Sequence, residues 1–267
     1  MNNLHRDLAP VSAQAWADLE TEAERTFKRH VAGRRVIDLI GPAGETLAAV
    51  GTGHRDAMTG NGPVQARVRQ ARPLVEFRVP FRVSREAVDD VARGARDADW
   101  QPVKEAAKQI AFAEDALVFD GFADGGVNGI RAGTSNPAIA LPSDVTAYPV
   151  AVAQAMSSLR LAGVGGPYSL LLSADAYTLV AETTDHGFPI REHIQRVLGT
   201  DGHVIWAPAL RGALLLSRRG GDYELYVGQD LTIGYLSHDA ATIELYFQES
   251  LTFFVQTAEA GVELSAS

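Results

Sequence analysis

The chain comprises 267 residues, 46% of them hydrophobic and 21% charged, with a formal charge of −9. That length suits one or two domains with a substantial core, and the acidic balance argues against a nucleic-acid surface, which needs local basic patches. The chain has no cysteine, which excludes disulfides, thiolate catalysis and cysteine-based zinc sites; its polar start, MNNLHRDLAP, and the lack of an apolar run long enough for a bilayer point to a cytoplasmic protein with no membrane partner.

In chain order, Ser12 is placed to cap a helix running to about His30, with Trp16, Leu19, Ala23 and Phe27 as its apolar stripe and Gly33 as its stop. The basic group Lys28, Arg29, Arg34 and Arg35 flanks that helix end, where cations suit the dipole. Arg35–Ile40 reads as a strand, with Asp38 either on the surface or a partner for Arg34 or Arg35, and Gly41–Gly44 as a turn. Residues 47–72 are polar and glycine-rich, too long for an ordinary connection. Alternation at Val64, Ala66 and Val68 suggests a protruding two-stranded arm that needs another surface to order it.

Val75, Phe77, Val79, Phe81 and Val83 alternate with polar residues, and Pro80 marks an edge or a bulge. Ser84 caps a short helix closed by Gly94. A long helix from Pro102 to Gly121 follows, with Val103, Ala106, Ala107, Ile110, Ala113 and Leu117 as its packing face. From Ile130 to Gly220, helices at about 150–162, 174–181 and 189–198 interleave with strands at 168–172, 204–206 and 213–216, a compact α+β unit. Two long alternating runs come last. Tyr223, Leu225, Val227, Gln229, Leu231, Ile233 and Tyr235 form one, and Ile243, Leu245, Phe247, Glu249, Leu251, Phe253 and Val255 the other. Both predict long strands with one buried face, bent or bulged at Gln229 and Glu249.

Catalytic signatures are missing. Gly133-Thr134-Ser135-Asn136-Pro137 lacks the final glycine of a nucleophile elbow, and Gly51-Thr52-Gly53 does not complete a dinucleotide fingerprint. The dense titratable group Glu182, Asp185, His186, Arg191, Glu192 and His193 reads as a solvated loop between helices, and no metal site is expected.

The segments MNNLHRDLAPVSAQAW, RTFKRHVAGRRVIDLIGPAG, TTDHGFPIREHI, GGDYELYVGQDLTIGYLSHD and LYFQESLTFFV, in this order along the whole chain, resemble an encapsulin shell protein of the actinobacterial, linocin-like type. The resemblance implies an α+β fold of the Hong Kong 97 phage-capsid type. Its peripheral domain would be 1–46, 73–130 and 221–267, with the N-terminal helix; the extended loop 47–72; and the axial domain 131–220. It implies a non-catalytic partner of itself, an icosahedral homo-oligomer that forms a cytoplasmic nanocompartment and admits small solutes through pores. Its cargo would be a dye-decolorising peroxidase or a ferritin-like protein bearing a C-terminal targeting peptide.

For that peptide the resemblance points to Phe27, Val31, Arg34, Ile37, Asp38, Leu39, Leu231, Ile233 and Tyr235. For a five-fold pore loop it points to Asp185, His186, Gly187, Phe188, Pro189, Ile190 and Arg191. Some relatives carry a tryptophan that stacks on a flavin where this chain has Glu86, so no flavin or other cofactor is expected. A phage-type major capsid protein and a Ser/His hydrolase are the alternatives.

Overall fold

The computed structural model describes residues 3–60 and 63–266; positions 1, 2, 61, 62 and 267, which fall within the expected peripheral and loop ranges, lie outside it. Helix α1 (Ala13–His30) starts at Ser12, whose hydroxyl accepts from the Ala15 N–H at 3.2 Å. It ends at His30, before Gly33; that glycine instead opens a 3₁₀ turn, Gly33–Arg35, so the expected strand shortens to β1 (Asp38–Ile40). The turn is drawn inward because the buried Asp115 carboxylate accepts from the Ala32 and Gly33 N–H groups at 2.9 and 2.8 Å.

β2 (Ala49–Arg55) and β3 (Arg69–Pro73) form the antiparallel arm, joined further out by a Thr59–Ala66 bridge. Its apolar residues stay in solvent: Val64 is 77% exposed and Val68 68%. β4 (Val75–Ser84) pairs only with the long C-terminal strand, so Pro80 sits on an edge, where its missing N–H costs no ladder bond. α2 (Arg85–Ala92) is capped by the Ser84 hydroxyl. α3 (Gln101–Phe119) buries Val103, Ala106, Ala107, Ile110 and Leu117, while Ala113 is only half-buried; Glu114 and Asp115 are fully buried instead.

After the short pair β5 (Gly121–Phe122) and β6 (Val127–Asn128) come α4 (Ile130–Gly133), β7 (Ile139–Leu141), α5 (Tyr148–Leu161), β8 (Tyr168–Leu172) and α6 (Ala174–Glu182). The two-residue strands β9 (Thr184–Asp185) and β10 (Phe188–Pro189) make a hairpin, followed by α7 (Ile190–Leu198), β11 (His203–Trp206) and β12 (Ala213–Ser217). The chain closes with β13 (Tyr223–Val227), β14 (Thr232–His238), β15 (Thr242–Val255) and β16 (Gly261–Ala266).

Two sheets result. In the first, β13 and β14 lie end to end along one edge of β15, β4 pairs with its other edge, and β1 pairs parallel with β13. The first alternating run is therefore two strands. They part at Gln229, whose N–H donates to the Ser250 hydroxyl and whose side-chain carbonyl accepts from Gln248. The second run is one continuous strand. No bend occurs at Glu249, which keeps its ladder position opposite Phe77. The second sheet has the order β11-β8-β12-β16-β7. Its β16, for which the sequence offers no strand signal, pairs with β12 and β7.

The apolar interior is likewise double. One cluster joins α1, α2 and the first half of α3 to Ile233, Ile243, Leu245 and Phe247. The larger one joins the second sheet and its helices to Leu117, Val118, Leu225, Leu251 and Phe253. Between them, α3 carries Glu114 and Asp115, and β15 carries Glu249.

Candidate functional site

A groove of about 700 Å³ runs between α1 and the start of β14. Ala23, Phe27 and Val31, at four-residue spacing, fall on one face of α1 and its cap and form one wall. Leu39 of β1, Leu231, Ile233 and the Phe247 ring form the other. Charged residues rim it: Arg6 pairs with Glu20 at 2.6 Å, and Lys28 with Glu24.

Six of the nine residues expected at a peptide site, Phe27, Val31, Arg34, Leu39, Leu231 and Ile233, line this groove. The other three do not. Ile37 packs into the larger core. Asp38 pairs with neither Arg34 nor Arg35; it accepts the Gly221 N–H at 2.5 Å and, with Ile37, borders a separate recess of about 150 Å³. Tyr235 lies two residues beyond the groove, where its N–H donates to the Leu4 carbonyl at 2.8 Å and its hydroxyl meets His238 Nδ1 at 2.6 Å. Sequence reasoning passed over Ala23 and Phe247. The helical period from Phe27 and the strand register opposite Ile233 carry the signal for both.

Arg34 is the polar feature of the wall. Its Nε donates to Glu114 Oε1 at 2.7 Å, and its Nη2 donates to Glu114 Oε2 at 2.6 Å and meets Asp230 at 2.9 Å and Glu249 at 3.6 Å. The guanidinium carbon also lies 4.9 Å from the centre of the Phe27 ring. Burial works against its charge, but the Glu114 and Asp230 carboxylates outweigh that and hold its pKa above the ordinary arginine value. Three carboxylates thus share one cation.

Neither Glu249 oxygen has a hydrogen-bond partner. Burial and the neighbouring Glu114 charge push its pKa well up, against the pull of Arg34. Burial raises Glu114 as well, although Arg34 opposes it. The basic group at the end of α1 therefore divides. Arg35 donates to the Lys28 and Arg29 carbonyls at 2.9 and 3.1 Å, a helix-end role, while Arg34 turns inward.

The expected pore residues fall on a tight hairpin instead of a loose loop. His186 and Gly187 have φ of 48° and 83°, as a two-residue turn with both centres left-handed requires. Asp185 faces Phe188 across it, and Ile190 and Arg191 already belong to α7. The His186 side chain is 93% exposed and Phe188 50%. The Arg196 guanidinium lies 5.6 Å from the Phe188 ring centre. Among the described residues, no group of three or more His, Asp or Glu side chains could hold a metal ion, and no helix is long and apolar enough to cross a membrane. Glu86 is an exposed residue in the first turn of α2.

Comparison with known proteins matches residues 1–252 to the family described as encapsulating protein for peroxidase. A type 1 encapsulin shell protein of Rhodococcus erythropolis is 62% identical, covering 99% of this chain and all of its own length. One of Mycobacterium tuberculosis is 56% identical over the same shares. Among solved structures, a virus-like particle from Pyrococcus furiosus superposes with a TM-score of 0.64 at 16% identity, covering 95% of this chain and all of that one. Mycobacterium phage Cain superposes at 0.52 and 15%, covering 89% and 90%. These likenesses establish the phage-capsid-like fold of mixed α and β structure. With that fold and with relatives more than half identical along the whole chain, this protein belongs to the type 1 encapsulin family of shell proteins, a structural family and not a family of enzymes.

Proposed function

We propose that copies of this chain assemble into a closed icosahedral compartment in the cytoplasm, and that the groove between α1 and β14 docks the C-terminal targeting peptide of a cargo enzyme. The carrying observation is the groove itself. Three segments far apart in sequence bring apolar side chains to one cavity of about 700 Å³, with the Arg34 guanidinium fixed on its wall. An extended peptide presents alternate side chains to such a wall, which selects apolar residues at every second position. Seating two large aliphatic side chains contributes about 3–6 kcal/mol before ordering costs, a weak single contact. A cargo oligomer with several tails compensates by multivalency inside a shell that repeats the groove.

The family description names a peroxidase, so a dye-decolorising peroxidase is the first cargo class and a ferritin-like protein the second. In the same reading, residues 47–72 lie on a neighbouring subunit, which supplies the surface that the arm lacks, and the division into peripheral, loop and axial regions follows. The Asp185–Arg191 hairpin rings a pore that passes small solutes.

A fluorescent protein fused to the C-terminal tail of an actinobacterial dye-decolorising peroxidase, co-expressed with this chain, tests the docking. It co-purifies with wild-type shells. Leu39→Asp, at a 44% exposed position, and Leu231→Asp lower the fluorescence per shell at least several-fold while particles persist. Loading equal to wild type in both variants would remove the groove from the mechanism.

A further inference from the structure

A second groove, of about 530 Å³, lies on the opposite side of α1, against α3. It is lined by Arg25 and Arg29 on α1 and by Lys104 and Lys108 on α3, with His30, Glu22 and Glu105. The chain contains three lysines in all, Lys28, Lys104 and Lys108; two of them are here, and the third is on the facing side of α1. Each helix contributes its cations at four-residue spacing, the arrangement in which like charges repel along a helix. Glu22 is committed to Arg25 at 2.6 Å, and the Glu105 carboxylate accepts from Gln101 at 3.1 Å. Arg29, Lys104 and Lys108 have no ion-pair partner among the described residues. In a chain of net charge −9, this groove thus sets four cations against two carboxylates, a local excess of positive charge.

We propose that this groove binds an acidic stretch of the cargo protein, next to the apolar segment seated in the first groove. The proposal rests on the docking reading above and names a second contact for the same partner. Continuity supports it, because α1 is the shared wall. A helix with its side chains is about 10–12 Å across, and about three or four extended residues at about 3.3 Å each cross it. A peptide is favoured over nucleic acid because the cations fill one short groove that also contains Glu22 and Glu105. A polyphosphate backbone calls for a long basic track.

Three reporters test this: the fluorescent protein with the peroxidase tail preceded by an alternating Glu-Gly octamer, the same with a Gln-Gly octamer, and the Glu-Gly octamer alone. All are loaded by reassembling purified wild-type shells or the Lys104→Gln/Lys108→Gln shell around them, and loading is read as fluorescence per shell. In wild-type shells at low salt, the acidic tail loads about fivefold better than the neutral one, the scale of a few surface ion pairs. The difference vanishes in the double variant and in high salt, where screening reaches within a few ångströms.

Equal loading of the two tails in wild-type shells overturns the inference and leaves the first groove standing. If the neutral tail does not load, the first-groove reading fails, and the octamer alone decides: retention that depends on Lys104 and Lys108 supports the acidic site, and none overturns it. Loss of co-purifying nucleic acid from the double variant, with reporter loading unchanged, makes the patch a nucleic-acid site and also overturns the inference.

Discussion

Arg34 cannot leave its place without stranding charge. It faces the fully buried Glu114 and Glu249 as well as Asp230, and removing one partner of a buried ionic cluster costs about 3–5 kcal/mol. Arg34→Met therefore lowers the thermal unfolding midpoint strongly at pH 8, and less at pH 5, where the carboxyls can take up protons. Glu249→Gln acts in the opposite sense. The folded-state pKa of Glu249 is raised above its ordinary 4.5, so its contribution is fully present below that pH and is lost as pH rises. The amide removes the loss and makes the protein more stable at pH 8 with little change near pH 4; a variant no more stable than wild type at pH 8 would refute this. Asp115 adds to the same slope. Burial pushes it up to about 7 from 3.8, against the Gly33 and Ala32 N–H groups, so stability declines between about pH 4 and pH 7 on its account. None of this was legible in the sequence. Glu114-Asp115 on a helix reads as a solvated face, and Arg34, their neighbour in space, stands 80 positions away.

At the scale of elements, capping and periodicity were legible because their signals are local. Ser12 and Ser84 each accept from the first turn of a helix, as expected, and β8 spans Tyr168–Leu172 as its apolar run suggests. Long-range pairing was not. The split of the first alternating run depends on Ser250 of another strand, and β16 finds its place only by pairing with β12 and β7. Two predictions belong here. A side chain at Gly129 would collide with the Gly121 nitrogen, a backbone contact with nowhere to retreat; Gly129→Ala costs about 1–3 kcal/mol, read from the unfolding midpoint. The arm, by contrast, packs against little of its own subunit. Replacing 50–71 by a short Gly-Ser link leaves the unfolding of the subunit nearly unchanged and abolishes particles in size-exclusion chromatography. Particles of wild-type size from that variant would deny the arm a role in assembly.

On the scale of the whole molecule, the chain is two apolar cores meeting at a charged seam, and the groove between α1 and β14 opens where that seam reaches the surface at Arg34 and Asp230. The resemblance of ordered segments along the whole sequence was enough for the fold class and the family, because a match of that length does not depend on any one contact. It was not enough for the groove, whose membership turns on where β1 and β14 end: Leu39 enters it while Asp38 pairs with Gly221, and Ile233 enters it while Tyr235 does not. Electron cryo-microscopy of shells loaded with the tail-bearing reporter tests the central claim most directly. The account predicts an extended peptide between α1 and β14, in contact with Phe27, Leu39, Leu231 and Ile233; a peptide seated elsewhere on the shell, with this groove empty in fully loaded particles, would contradict it.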